Sequence, residues 1–206
     1  MNPIKHIWFD FSDTIASPDE GARNALRYET YGKVQGKAVT SELIEDYLQK
    51  YRENGESNAG VFASFGLPSS FWSDTVNASN PSYRLIDSGI PNVLERLQEV
   101  RPISIFSNLD LTKILPGLGI SGEWFAHILA AGMVKKPKPD LEGFYKIAEL
   151  SELPPADILY VGDNVYKDLR PAKATGLQTG LVWSESPEAD YSFKNFEDIL
   201  TLAPKA

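Results

Sequence analysis

The stretch His6-Ile7-Trp8-Phe9-Asp10-Phe11 reads as a buried β-strand. It is short, and aromatic or β-branched residues fill most of it. A carboxylate in so apolar a run is either a site residue or the cap of a following turn. In a parallel α/β sheet, ligands bind beyond the carboxyl ends of the strands. A polar turn follows from Ser12 to Gly21.

Working outward, the next seventy or so residues hold no comparable strand signal. Helices are expected over 22–31 and 41–51. In the second, Leu43, Ile44, Tyr47, Leu48 and Tyr51 share one face, and Ser41 is the expected N-cap. Shorter helices are expected over 61–65 and 70–76, then a loop over 77–81. Pro91 suits a first helical turn, and Val93, Leu94, Leu97 and Val100 form the face behind it. Strands are expected over 103–106, 128–130, 158–161 and 179–183. Between and after them come helices over 111–115, 141–150, 166–175 and 196–202. Strands alternating with helices imply an α/β fold, a Rossmann-like parallel sheet covered by helices on both faces. The helical block looks like an insertion at the carboxyl edge of that sheet.

Composition agrees with a globular chain. Its 206 residues are 42% hydrophobic and 23% charged, enough for a core of about 130 residues plus a smaller module. With no Cys, a disulfide scaffold, a Cys-ligated zinc site and a cysteine nucleophile are excluded. Two histidines, His6 and His127, argue against a His-rich metal site or a Ser-His-Asp triad. The net charge of -8 argues against nucleic acid as a partner. No apolar run approaches a membrane span. Residues 1–6 lack a secretory stretch, so the cytoplasm is the expected location.

Three further segments sit in the same topological place as Asp10. Ser107-Asn108 follows the strand over 103–106, and read alone it is a polar turn or helix start. Gly162-Asp163-Asn164 follows the strand over 158–161, with Asp168 five residues past Asp163. Helix capping explains it in part. Together with Asp10, however, these acids suit a hard divalent cation such as Mg2+. Lys135, Lys136 and Lys138 lie among Pro137 and Pro139 after the third strand. Such a run is usually a solvated loop, but here a lysine could offset clustered carboxylates and bind phosphate oxygens.

Taken in order, the four segments resemble the haloacid dehalogenase (HAD) superfamily of mostly Mg2+-dependent phosphotransferases. The first motif stands as Ile7-Trp8-Phe9-Asp10-Phe11-Ser12-Asp13-Thr14, and the second as Ile105-Phe106-Ser107-Asn108. The third is Lys138-Pro139 with the helix behind it, where Lys138 fits the helix register better than Lys136. The fourth is Gly162-Asp163 with Asp168. The resemblance implies a catalytic core over 1–15 and 89–206, and a small all-helical cap over 16–88. It also implies that Asp10 attacks phosphorus to form an aspartyl-phosphate. Mg2+ is then held by Asp10, Asp163, the main-chain oxygen of Ser12, and Asp168 directly or through water. Ser107 and Lys138 bind the transferring group, and Asn108 assists. The implied partner is a small phosphorylated molecule.

The departure is Ser12. Family phosphatases usually carry Asp there, as the acid for the leaving alcohol and the base for water. A serine hydroxyl does neither well at neutral pH, a handicap of about 10²- to 10⁴-fold. Asp13 does not obviously replace it. Three readings follow: a slow or specialised phosphatase, first; a pseudoenzyme that binds phosphate or a partner; and a metal-independent dehalogenase, disfavoured because Asp163 and Asp168 are retained. Arg23 and Arg27 share one helix face and could contact an anionic substrate, with surface solvation their default reading. Phe62, Phe71 and Trp72 read first as core. Substrate contacts and oligomeric state stay unassigned.

Overall fold

The computed structural model describes residues 3–202. The outermost residues of the expected core segments, 1–2 and 203–206, lie outside them. In chain order, β1 (His6–Phe9) and β2 (Ala16–Pro18) precede α1 (Glu20–Gln35), α2 (Ser41–Glu53), α3 (Asn58–Ala63) and α4 (Phe71–Ser79). Then come β3 (Tyr83–Leu85), α5 (Ile90–Gln98), β4 (Ile103–Phe106), α6 (Ile114–Gly117) and β5 (Phe125–Leu129). The chain continues with α7 (Glu142–Ser151), β6 (Ile158–Gly162), α8 (Arg170–Ala174), β7 (Gln178–Val182) and β8 (Tyr191–Phe193).

Six strands form one sheet in the order β5-β4-β1-β6-β7-β8. Every pairing in it is parallel. β1 is central, with Phe9 opposite Ile105 on one side and Val161 on the other. Side chains alternate across a strand, so each strand feeds two cores. Ile7, Phe9, Ile105 and Val161 pack with Val93, Leu94 and Leu97 of α5. Trp8, Phe106 and Tyr160 pack on the other face with Phe144 and Ile147 of α7 and Ala172 of α8. This is the α/β architecture expected from the alternation of elements.

The helical block follows local rules. Asp19 caps α1 by accepting from Ala22 N, and Gly36 ends it with φ 66°. Thr40, not Ser41, caps α2. The block is not purely helical: β2 and β3 pair antiparallel where the chain leaves and rejoins the sheet. Three-residue strands containing Pro18 have too little periodicity to be read from sequence. β8 was missed for the same reason. Val100 leaves the α5 face and is 48% exposed, because α5 ends at Gln98. The helix expected over 111–115 starts later, at Ile114, and α6 carries Pro116 within it. The helix expected over 166–175 divides into a π-helical turn over Val165–Leu169 and then α8.

Candidate active site

The carboxyl ends of β1, β4 and β6 and the loop between β5 and α7 converge on one buried ammonium. Lys138 Nζ donates to Asp10 Oδ1 at 2.6 Å, to Tyr160 Oη at 2.7 Å and to Asp168 Oδ1 at 2.9 Å. Its residue is 1% exposed. The rings of Phe106 and Tyr160 flank it, with centroids 5.1 and 5.4 Å away. Lys138 is therefore not part of a solvated basic loop. The ammonium of Lys136, the alternative in the sequence, is exposed and pairs with Asp140 at the surface.

The neighbouring segments place that lysine. Asn108 Oδ1 accepts from Lys138 N at 2.8 Å, and Asn108 Nδ2 donates to Lys138 O at 3.0 Å. Asn108 thus grips the backbone of the lysine from both sides. Its Nδ2 also reaches Ser57 Oγ, the N-cap of α3, at 3.2 Å. Ser107 is buried, and its Oγ accepts from Leu109 N at 3.1 Å. Thr14 Oγ1 donates to Asp163 Oδ1 at 3.2 Å. Gly162 is required where it stands, since a Cβ there would lie 2.7 Å from Asp168 Cβ. Asn164 caps the π-helical turn by accepting from Tyr166 N and Lys167 N. The capping reading of this segment therefore holds for Asn164, while Asp163 faces the acids.

Asp10, Asp163 and Asp168 offer carboxylate oxygens that lie within 4.8 Å of one another. A second cation shares them. Lys167 Nζ is 3.2 Å from Asp10 Oδ2, 3.7 Å from Asp168 Oδ2 and 3.8 Å from Asp163 Oδ1. Sequence reasoning missed Lys167. Its signal was available as the lysine four residues after Asp163 and directly before Asp168.

The titration behaviour follows from this crowding. Burial works to raise Asp10, but Lys138 and Lys167 overcome it and hold the carboxyl below its ordinary value. Burial and the charge of Asp10 push Asp168 up, against both lysines. Burial, together with Asp168 and Asp10, lifts Asp163 to about 7 despite Lys167. Burial works to lower Lys167, yet Asp10, Asp168 and Asp163 keep it well above its ordinary value. Fully ionised, three carboxylates facing two ammoniums carry one negative charge in excess, which is why Asp163 and Asp168 are raised. Asp10 Oδ2 and Asp168 Oδ2 are buried without a hydrogen-bond partner. Hard oxygen donors, excess negative charge and two unbonded oxygens fit a divalent cation.

Ser12 and Asp13 open onto a cavity of about 430 Å³ between the sheet edge and the helical block. Lys167, Asn108 and Leu109 also line it, facing Arg23, Arg27, Tyr51 and Trp72. Asp13, at φ 63°, accepts from Ser17 Oγ at 2.5 Å and from Arg23 Nη1 at 2.6 Å. These bonds hold its carboxylate to Ser17 and Arg23. Arg23 and Arg27 are half-buried rather than solvated.

Comparison with known proteins places this geometry. The profile of the haloacid dehalogenase-like hydrolase family matches residues 4–176. Over 87 residues the chain is 32% identical to haloacid dehalogenase-like hydrolase domain-containing protein 3 of Bos taurus, covering 41% of this chain and 34% of that protein. The chain thus spans about a third of that relative. It is 25% identical to a glyceraldehyde 3-phosphate phosphatase of Pyrococcus furiosus, over 100% of this chain and 92% of that one. Among solved structures, a HAD phosphatase from Thermococcus onnurineus superposes with TM-score 0.69 at 19% identity, covering 97% of both chains. A dehalogenase captured as an intermediate complex also reaches 0.69, at 13% identity and 100% coverage of both. The fold therefore does not separate phosphoryl transfer from dehalogenation.

Proposed function

Because the chain belongs to the haloacid dehalogenase-like hydrolases, we propose that it is a Mg2+-dependent phosphatase working through an aspartyl-phosphate on a small phosphorylated metabolite. The observation that carries this reading is the convergence of Asp10, Asp163 and Asp168 around Lys138 and Lys167. A dehalogenase nucleophile has no need of two further acids at its side. A phosphate dianion, in contrast, cannot approach three carboxylates without additional positive charge.

Asp10 is the nucleophile. The two lysines keep it ionised, Lys138 on Oδ1 and Lys167 on Oδ2. Asp10, Asp163, Asp168 and the main-chain oxygen of Ser12 would hold Mg2+. That cation, when bound, neutralises phosphoryl oxygens and orients the ester for in-line transfer. Ser107 binds the transferring group, while Lys138, whose three protons go to Asp10, Tyr160 and Asp168, contributes its positive charge, and Asn108 positions Lys138 through its backbone. Ser12 supplies no efficient acid or base, so substrates with good leaving groups, such as acyl phosphates, suit this site best.

Residues 16–88 act as a cap on the core formed by 1–15 and 89–206. Polar bonds that bridge the two support a closed arrangement: Asn108 to Ser57, Asn164 to Glu56, Asp110 N to Ser73, and Ser69 to Val134 O. Closure excludes water from the aspartyl-phosphate until the cap opens. No helix among the described residues is long and apolar enough to cross a membrane. Action on a metabolite in the cytoplasm fits this reading.

The test is phosphate release from acetyl phosphate and p-nitrophenyl phosphate. Release that requires Mg2+ and disappears in Asp10→Asn is the expected result. No release above a buffer blank overturns the phosphatase reading. Halide release without Mg2+ would favour the dehalogenase instead.

A further inference from the structure

One guanidinium in the cavity has no acidic partner. Arg23 is neutralised by Asp13 at 2.6 Å. Arg27, one turn later on α1, lies among three tyrosines. Its guanidinium carbon is 5.0 Å from the ring centroid of Tyr28 and 5.5 Å from those of Tyr47 and Tyr51. Nη2 donates to Tyr28 Oη at 3.1 Å. Nε is buried and makes no hydrogen bond. Among the described residues no carboxylate lies within ion-pairing distance of Arg27. Burial raises Tyr47 and Tyr51, so neither phenol supplies compensating negative charge.

This arrangement is costly unless something uses it. A half-buried guanidinium whose Nε is buried and unmet loses hydration that the surrounding rings restore only in part. The rings do hold the side chain in place through cation–π contact. A planar fork of donors, held in place and left without its anion, is suited to a carboxylate or phosphate. Arg27 lines the same cavity as Ser12 and Lys167, and about 430 Å³ accommodates a molecule of several carbons.

We propose that Arg27 anchors the non-reacting end of the substrate, so that the preferred substrates carry a second anionic group, a carboxylate or a further phosphate. The identity of the reacting end rests on the phosphatase reading above; the anion anchor itself does not.

Calorimetric titration with non-hydrolysable ligands tests it, using the full chain in saturating Mg2+. The probes are methylphosphonate, phosphonoacetate and methylenediphosphonate. The wild type should bind at least one of the two-anion ligands about ten- to a hundredfold more tightly than methylphosphonate, as one charge-assisted pair supplies. The ligand with the larger gain names the second group. Arg27→Met keeps an apolar stem against the tyrosines and should bring that ratio close to one. Arg27→Lys should keep part of it. Equal binding of all three ligands by the wild type overturns the proposal, as does a ratio unmoved in Arg27→Met. Failure of every phosphate ester to turn over would sink the phosphatase reading alone, because the binding ratio needs no turnover.

Discussion

Lys138 Nζ lies 2.6 Å from Asp10 Oδ1, joining residues 128 positions apart between side chains only 1% and 3% exposed. The same ammonium serves Asp168. Two carboxylates and a phenol thus share this buried cation, and Lys167 reaches the other oxygen of each carboxylate.

Replacing Lys138 by Met should therefore cost stability as well as function. Removing one partner of a buried pair leaves uncompensated charge, typically worth about 3–5 kcal/mol. Urea unfolding at pH 7 should show a loss in that range, partly restored by Mg2+. A change below about 1 kcal/mol would mean that the acids take up protons or water at little cost.

Lys167 and a divalent cation compete for the same oxygens. The ammonium lies 3.2 Å from Asp10 Oδ2, where the Coulomb attraction alone is about 5 kcal/mol at an effective dielectric of about 20. Lys167→Met removes the competitor and leaves the acids more negative. Mg2+ binding, followed by calorimetry, should tighten by at least about tenfold. Weaker binding in the variant would show that Lys167 supports the cation site rather than contests it.

Ser12 lines the cavity beside Asp13, whose carboxylate is committed to Ser17 and Arg23. If the missing acid limits turnover, Ser12→Asp should raise the rate on poor leaving groups by about 10²-fold or more. The effect on acetyl phosphate should be smaller. An unchanged or lower rate on p-nitrophenyl phosphate and alkyl phosphates alike would reject that explanation.

His6 gives a pH dependence separate from the site. Its Nε2 lies 2.9 Å from Ser104 Oγ, and its ring packs against Trp8 and His127. Burial first, and His127 second, lower it from 6.5 to about 4. The unfolded chain takes a proton that the folded chain refuses, so stability is full above about pH 6.5 and falls as the pH drops toward 4. The loss from His6 has an upper bound of about 3 kcal/mol. Asp163, raised to about 7, slopes the other way, stabilising the fold as pH falls. The difference between wild type and His6→Gln isolates the histidine. Parallel pH profiles for the two would contradict the assignment.

The strands that build the site were legible because they are buried on both faces. Such strands read as short continuous apolar runs, and the polar residues at their carboxyl ends stand out. Asp10, Ser107 and Asp163 stand out in this way, and Asp168 follows from its spacing after Asp163. Lys138 was separable from Lys136 only through the register of the helix behind it, and the structure agrees by burying one and exposing the other. Lys167 stayed hidden because a lysine on a helix ordinarily reads as a solvated charge. Arg27 was misjudged for the same reason, since Tyr47 and Tyr51 arrive from α2 to cover it.

By itself, then, the sequence determined the α/β sheet, the order of its motifs and the acids at its edge, because hydrophobic periodicity and strand-end chemistry are local. Only the tertiary structure decided which cation meets which anion. Coulomb energy depends on distance and burial, and neither is written in spacing along the chain. Folding brings Lys138 and Lys167 onto three carboxylates and leaves Arg27 without one.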